Sequence, residues 1–224
     1  MTQQPGNLYI VATPIGHPKD ITLRALDTLK QVDFIICEDI RNASRLFKQC
    51  DLEMKPAVVL SEHNENNDAA DIAARILMGE DAALISDCGT PVFADPGTRL
   101  IESAASLGVR VIPLPGASSL MATLSVLDRT LHQFVFGGFL PRDKSERLTA
   151  LKNLKALRKS LVIMDTPYRM EAVLSDVNKI FSSKQQILLA TDLTLKSEHI
   201  YRGTVGEIQN SLIKNKAEFI LVIY

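Results

Sequence analysis

The stretch ISDCGTPVFADPG, residues 85–97, decides how this chain is organised. It follows the apolar run AALI (82–85) and precedes a segment with helical spacing, so it joins a buried strand to a helix. Gly89 permits a positive φ or a close approach of the backbone to a ligand, while Pro91 and Pro96 fix their own φ. Such a rigid loop either offers main-chain polar groups to a small ligand or simply makes a tight strand-to-helix turn.

Short apolar runs alternate with helical segments throughout the first half of the chain. The runs predict strands at 8–12, 34–37, 57–60, 82–86 and 109–114. Asp95 is expected to cap a helix that has Pro96 at its first position, and Gly108 is expected to end that helix. Strands separated by helices predict a parallel sheet covered on both faces. This pattern defines an N-terminal α/β domain over residues 1–114.

The pattern restarts after the turn PLPGAS at 113–118. Predicted strands lie at 134–138, 160–164, 186–191, 201–205 and 218–224. Predicted helices lie at 117–127, 145–158, 169–180 and 206–213. The last strands are closely spaced, so the second sheet is expected to be mixed, in a C-terminal α/β domain over 115–224. The predicted fold class is α/β, with two α/β domains.

Composition limits the function classes. The 224 residues are 46% hydrophobic and 23% charged, with a net charge of −1, so binding to nucleic acid requires a local basic patch. The three cysteines share no CxxC spacing, which favours free thiols in a reducing cytosol. No basic leader and no apolar run of transmembrane length is present. We therefore expect a cytoplasmic protein that does not associate with a membrane.

Ligands of open α/β sheets bind outside the carboxyl ends of the strands. Four loops after predicted strands are candidates: 12–20, 37–45, 86–97 and 114–119. The chain contains neither a dinucleotide-binding glycine pattern nor a P-loop, which argues against nicotinamide and nucleoside triphosphates. His63 has no second histidine nearby, and no zinc-ligand spacing occurs, so no metal is expected.

The segment CEDIRNASR (37–45) places acids and bases just after a buried strand. Asp39 and Arg41 could orient a substrate hydroxyl together. They could instead pair with each other, in a helix N-cap with a solvated ion pair, and the segment by itself favours this interpretation.

The segment 142–159 holds seven basic residues and two acidic ones. Its leucines recur on one helical face, and Arg147, Lys155, Arg158 and Lys159 are expected to point outward. Such a face is usually solvated, but it could also contact phosphates.

Taken together, these segments resemble the tetrapyrrole methylase superfamily, the class III S-adenosylmethionine-dependent methyltransferases. Within it they are most similar to the branch that methylates a ribose 2′-hydroxyl of small-subunit ribosomal RNA. The segments that carry the resemblance are LYIVATPIGHPKDITLRAL, CEDIRNASRLF, SEHNEN, LISDCGTPVFADPGTRLI, LPGASSLMATL, FGGFLPRDKSER and AEFILVI.

The resemblance implies a homodimer of two-domain chains, with S-adenosylmethionine bound between the domains and S-adenosylhomocysteine as product. The implied cofactor-binding residues of the first half and of the turn that follows it are Pro14, Cys88, Gly89, Thr90, Pro91, Val92, Phe93, Pro115, Gly116, Ser118 and Ser119. Met164, Ala190 and Phe219 are expected to close over the adenine side. The implied methyl acceptor is rRNA, free or in the small ribosomal subunit.

Catalytic roles are assigned within the same resemblance. Asp39 and Asp95 are the candidate bases for a weakly acidic ribose hydroxyl, and Arg41 and Arg169 would hold phosphate or orient the acids. The candidate substrate-binding residues are Glu38, His63, Asn64, Arg142 and Lys144. Departures from the family pattern, such as His17-Pro18 and Asp165-Thr166-Pro167-Tyr168-Arg169, leave two alternatives open. One is a methyltransferase acting on a tetrapyrrole, precorrin or other small molecule, and the other is a cofactor-binding protein that has lost catalysis.

Overall fold

The computed structural model describes residues 4–224, which divide into two compact units, one ending at Ser118 and one running from Ser119 to Tyr224. The strands of the first unit are β1 (Asn7–Val11), β2 (Phe34–Cys37), β3 (Ala57–Val59), β4 (Ala82–Ile85) and β5 (Arg110–Leu114). Its helices are α1 (Leu23–Gln31), α2 (Ile40–Gln49), α3 (Glu65–Leu77) and α4 (Thr98–Ser106), with a 3-10 turn at Pro18–Asp20.

The first sheet is parallel throughout, with the strand order β3-β2-β4-β1-β5. Side chains of β2 alternate between two cores: Phe34 and Ile36 pack with α3 and α4, while Ile35 packs with α1 and α2. Burial on both faces explains why β2 and β4 are continuous apolar runs. The predicted parallel sheet with helices on both faces is confirmed.

The strands of the second unit are β6 (Phe134–Gly138), β7 (Ser160–Asp165), β8 (Gln186–Thr191), β9 (His199–Thr204) and β10 (Phe219–Ile223). Its helices are α5 (Ser119–Ser125), α6 (Lys144–Ala156), α7 (Met170–Phe181) and α8 (Val205–Ser211), with a 3-10 turn at Pro167–Arg169. The strand order is β6-β7-β10-β8-β9, and only β6 and β7 run parallel. The predicted mixed sheet and the α/β class are confirmed.

The start of α4 differs from the sequence prediction. Gly97, not Asp95, occupies the N-cap position, with φ +137° and no side-chain capping bond of its own, and Pro96 lies before the cap. Glu65 of α3 supplies the missing acceptor, because its Oε1 accepts hydrogen bonds from Gly97 N at 2.9 Å and Arg99 N at 2.7 Å. The other end follows the prediction, since Gly108 follows the helix with φ +76°.

Arg147 also differs from the prediction, because its side chain lies in the interior instead of pointing outward. Arg147 Nε lies 2.8 Å from Asp176 Oδ2 of α7, and both side chains are almost fully buried. Arg147 falls four residues before Leu151 and therefore shares the core-facing side of α6. A long side chain there is tolerated because a buried carboxylate pairs with it. Lys155, Arg158 and Lys159 are exposed as predicted.

Within residues 4–224, no helix is long and apolar enough to cross a membrane.

Candidate active site

Four loops leave the carboxyl edge of the first sheet side by side, because β2, β4, β1 and β5 are consecutive neighbours in a parallel sheet. They are the loops that the sequence singled out. Each follows a strand held on both sides except that of β5, which is the edge strand.

The turn after β4 is fastened to β1 through one carbonyl. Gly89 O accepts hydrogen bonds from Thr13 N at 2.8 Å and from Ser86 Oγ at 2.8 Å. Thr13 Oγ1 in turn donates to Ser86 O at 3.1 Å. Thr13 and Ser86 are buried, so this small polar cluster fixes the turn against the sheet, with Gly89 in the positive-φ conformation predicted for it (φ +86°).

The same turn is tied to the loop after β5. Thr90 Oγ1 donates to Ala117 O at 3.3 Å. A Cβ on Gly116 would lie 2.8 Å from Ala12 Cβ, a distance that requires something to move. Only glycine allows this loop to come so close to the end of β1. The segments that carry Pro14, Thr90 and Pro115 are therefore held together as one main-chain cradle.

Beyond Gly89 the turn presents main chain instead of reactive side chains. Val92 adopts φ +71°, which a β-branched residue rarely does, and its side chain packs against the core. The N–H groups of Gly89, Thr90 and Val92 donate to no other group within residues 4–224. Phe93 is 52% exposed. A strained backbone with free donors suits a bound polar ligand.

The remaining predicted cofactor residues of this unit and its end lie along the same loops. Pro91 is buried, Pro14 and Ser118 are half-buried, and Cys88 and Pro115 are exposed. Cys88 Sγ lies 3.6 Å from Ile15 O, which connects the turn after β4 to the loop after β1. Ser119 is the first residue of α5.

Asp39 caps helix α2 and forms an ion pair with Arg41, the arrangement that the segment by itself favours. Asp39 caps α2 by accepting from Arg41 N at 2.8 Å, and its carboxylate binds the Arg41 guanidinium, with Nη2 at 2.7 Å from Oδ2. The side-chain and backbone hydrogen bonds from Arg41 lower the pKa of Asp39. A carboxylate so stabilised as an anion is a poor proton acceptor.

Three other carboxyl groups lie close together at this edge. Burial, followed by the negative charge of Asp87, raises the pKa of Asp95. Burial and the charges of Asp87, Asp95, Glu62 and Asp39 raise the pKa of Glu38. Asp87 Oδ2 accepts a hydrogen bond from Asn42 Nδ2 at 2.6 Å. Raised pKa values improve a carboxylate as a proton acceptor near neutral pH.

Asn64, in the segment before α3, forms hydrogen bonds with neighbouring residues of the chain. Asn64 Oδ1 accepts from Ser61 N at 2.6 Å and from Ser61 Oγ at 2.9 Å, while its Nδ2 donates to Val59 O and Asp68 Oδ2. Its side chain therefore has little capacity left for a substrate. His63 is exposed. The capping of α4 by Glu65 could not be predicted from the sequence, because that contact joins residues far apart in the chain.

The predicted residues of the second unit divide between two faces of its sheet. Met164 and Ala190 flank Ile220 on neighbouring strands and pack with the cluster on the α5 side. Phe219 is buried in the other cluster, with the side chains of α6 and α7. Any contact of Phe219 with a ligand on the Met164 side would therefore have to involve its main chain.

Arg169 holds a loop in this unit. Its Nη2 donates to Leu140 O and Pro141 O, both at 2.7 Å, and lies 3.3 Å from Asp165 Oδ2. That oxygen is buried and makes no hydrogen bond of good geometry, and burial raises the pKa of Asp165. Arg142 and Lys144, which begin the segment after this loop, are exposed.

Potential metal ligands do not cluster among residues 4–224, and the thiol of Cys37 is buried. No group of three or more potential ligating side chains is present there. Cys37, at the end of β2, is buried, and burial followed by the charges of Asp87 and Asp39 raises its pKa to about 11. Such a thiol stays protonated and unreactive at neutral pH.

Known proteins are similar to this chain over nearly its whole length. The family model described as Tetrapyrrole (Corrin/Porphyrin) Methylases matches residues 7–209. The chain is 37% identical over 205 residues to a protein from Pseudomonas aeruginosa named "Ribosomal RNA small subunit methyltransferase I", covering 92% of this chain and 72% of that protein. A protein of the same name from Haemophilus influenzae is 35% identical over 227 residues, covering 100% of this chain and 80% of its own length.

Solved structures show the same fold. Two crystal structures of a uroporphyrin-III C-methyltransferase from Thermus thermophilus superpose with TM-scores of 0.63 and 0.67, at 18% and 16% identity. Each match covers 97% of this chain, and the matches cover 94% and 97% of the respective solved chains. The family match and the relatives together show that this chain belongs to the tetrapyrrole methylase family of methyltransferases.

Proposed function

We propose that this chain transfers a methyl group from S-adenosylmethionine to a ribose 2′-hydroxyl of small-subunit ribosomal RNA. The observation that carries the proposal is that relatives named as small-subunit rRNA methyltransferases align over 92% to 100% of the chain. The main-chain cradle at the carboxyl edge of the first sheet supports it. A cytoplasmic location and a homodimer belong to the same proposal.

The cradle suits a small, polar cofactor. Gly116 approaches β1 so closely that a Cβ would collide with Ala12, and the N–H groups of Thr90 and Val92 have no partner within residues 4–224. These groups, with the loop at Pro14, would hold S-adenosylmethionine through the main chain. When bound, this cofactor supplies an activated methyl group that already carries its leaving group and positive charge.

The protein then has to position the acceptor and receive its proton. Asp95 is the residue to which we assign the proton, because burial and Asp87 raise its pKa while Asp39 is held as an anion by Arg41. Glu38 would hold the ribose by accepting a second hydrogen bond. Orientation of the hydroxyl and exclusion of water would supply the rest of the rate enhancement.

The test is methyl transfer from labelled S-adenosylmethionine to small ribosomal subunits from cells that lack their own enzyme of this kind. Naked rRNA and a tetrapyrrole precursor serve as competing acceptors, and calorimetry measures cofactor affinity. We expect label in the RNA at a ribose 2′-oxygen. Label in the tetrapyrrole alone, or no transfer despite tight cofactor binding, would overturn the proposal.

The role of Asp95 is tested with Asp95→Asn, which keeps the size of the side chain and removes its basicity. We expect kcat to fall about 100-fold or more with unchanged cofactor affinity. Asp71→Asn, an exposed carboxylate on α3, is the matched control and should leave kcat unchanged. An unchanged kcat in Asp95→Asn would show that Asp95 is not the proton acceptor.

A further inference from the structure

Charge is divided unevenly between the two units. Residues 1–118 contain ten Lys and Arg against sixteen Asp and Glu, a net charge of −6, whereas residues 119–224 contain fifteen against ten, a net charge of +5. The total of −1 therefore conceals an acidic first unit and a basic second unit. A polyanion is attracted by a local concentration of positive charge, so the second unit is the one that would attract RNA.

The positive charge of the second unit is concentrated on and around α6. Segment 142–159 has seven basic and two acidic residues. Arg147 is used in the buried pair with Asp176, but the other six cations are exposed. These six form what we call the α6 ridge: Arg142, Lys144, Lys152, Lys155, Arg158 and Lys159.

The acids of the segment do not neutralise this ridge. Asp143 caps α6 by accepting from Ser145 N and Glu146 N. Lys144 and Lys152 lie eight residues apart on one flank of the helix, with Lys155 one turn beyond, whereas Glu146 projects from the opposite flank. Among the ion pairs of residues 4–224, none includes a cation of the ridge.

Both ends of the ridge are fixed by the fold. Before α6, Arg147 donates to Arg142 O at 2.9 Å and Arg169 donates to Pro141 O at 2.7 Å, which holds the chain where the ridge begins. In the last turn of α6, Lys155 Nζ donates to Ile180 O, and just after the helix Lys159 Nζ donates to Gln133 Oε1, so both ammonium groups contact uncharged oxygens. Their charges remain uncompensated by carboxylates.

Arg158 is the least expected member of the ridge. It adopts φ +52° just past the end of α6, a position where glycine is preferred because a side chain strains the backbone. Asp51 takes a similar conformation after α2, with φ +54°, so a non-glycine residue past a helix end is tolerated in this fold. The position also offers a variant that removes the charge while relieving the strain.

We infer that the α6 ridge binds the phosphate backbone of the RNA substrate. This inference rests on the proposed function and adds the surface that holds the acceptor. Segment 142–159 contains no aromatic residue for base stacking, so the ridge contributes affinity and orientation without base specificity.

The test measures RNA binding and methyl transfer separately, with fluorescence anisotropy of labelled small-subunit rRNA over a salt series and steady-state kinetics. The ridge variants are Lys144→Gln/Lys152→Gln and Arg158→Gly. The matched control is Lys30→Gln/Lys48→Gln, which removes two exposed lysines from the last turns of α1 and α2 in the acidic unit. Thermal unfolding and cofactor calorimetry accompany every variant.

For Lys144→Gln/Lys152→Gln we expect about a tenfold weaker affinity for RNA at physiological salt. The slope of the logarithm of RNA affinity against the logarithm of salt concentration should become shallower by about one to two. KM for RNA should rise with little change in kcat or cofactor affinity. Arg158→Gly should weaken RNA binding about threefold while the midpoint of thermal unfolding stays the same or rises.

Unchanged RNA affinity in the ridge variants, or an equal loss in the control, would overturn the inference. If the wild-type chain methylates RNA while the ridge variants behave as wild type, the proposed function is supported and RNA binding by the α6 ridge is refuted. If the chain transfers no methyl group to RNA but still binds RNA through the α6 ridge, the proposed function is refuted and RNA binding by the ridge is supported. A wild-type chain that does not bind RNA would overturn the ridge as well.

Discussion

The two units of this protein use buried and half-buried polar groups for different purposes. In the first unit they lie at the carboxyl edge of the parallel sheet, where Thr13, Ser86 and Glu65 fasten irregular loops. In the second unit they lie between elements, where Arg147 pairs with Asp176 and Arg169 binds loop carbonyls. Polar interactions therefore shape the proposed cofactor-binding edge in one unit and hold the layers of the other together.

The largest effect is expected from the interior of the second unit. Asp176→Ala leaves Arg147 buried and without its partner, which costs about 3–5 kcal/mol of unfolding free energy. Because the chain has no tryptophan, unfolding is best followed by circular dichroism and by amide hydrogen exchange resolved along the chain. Exchange should accelerate in α6 and α7 and remain slow in the first sheet.

The paired variant Arg147→Met/Asp176→Leu is the control for that experiment. Replacing both charges by apolar groups of similar size removes the desolvation cost together with the attraction, so stability should lie close to wild type. Glu102→Ala, which breaks the exposed pair with Arg99, should cost less than about 1 kcal/mol. If Asp176→Ala cost no more than Glu102→Ala, the buried pair would not hold the second unit together.

An intermediate effect is expected at the edge of the first unit. Glu65→Ala removes the acceptor for the N–H groups of Gly97 and Arg99 and leaves the buried Gly97 donor unpaired, at a cost of about 1–3 kcal/mol. The 86–97 loop precedes this cap, so its amide exchange should accelerate and cofactor affinity should fall. Calorimetry with the cofactor and local hydrogen exchange measure both effects.

Glu65→Gln separates the two contributions of that side chain. It keeps an oxygen acceptor and loses the negative charge at the helix N-terminus, so it should recover part of the stability and most of the cofactor affinity. Equal losses in both variants would show that charge and not hydrogen bonding supports the loop. No loss in either would show that α4 begins without help from α3.

In both units the strands were predicted from the sequence better than the polar contacts between elements. Apolar runs predicted the strands of both sheets, because burial on two faces leaves a strong pattern. Asp39 as a cap was predictable from its position before α2. The capping of α4 by Glu65 in place of Asp95 was not predictable, because this contact joins the starts of two helices that are far apart in sequence. The spacing of Arg147 to Leu151 placed it inward, but a charged residue is normally expected outside.

The smallest effect concerns the acids at the edge of the first sheet. Asp87→Asn removes a negative charge that raises the pKa of both Asp95 and Glu38, and its amide oxygen can still accept the hydrogen bond from Asn42. The pKa of Asp95 should therefore fall, and the acidic limb of the profile of kcat/KM against pH should move to lower pH.

The sign of the stability change follows from the same shifts. Because the folded-state pKa of Asp95 lies above its unfolded value, the folded chain binds protons more tightly, and the unfolding free energy rises as pH falls through the folded pKa. Asp87→Asn should flatten this rise and make the protein more stable at neutral pH. Asp71→Asn should change neither the profile nor its slope. A profile of kcat/KM that stays in place in Asp87→Asn would mean that neither Asp95 nor Glu38 sets the acidic limb.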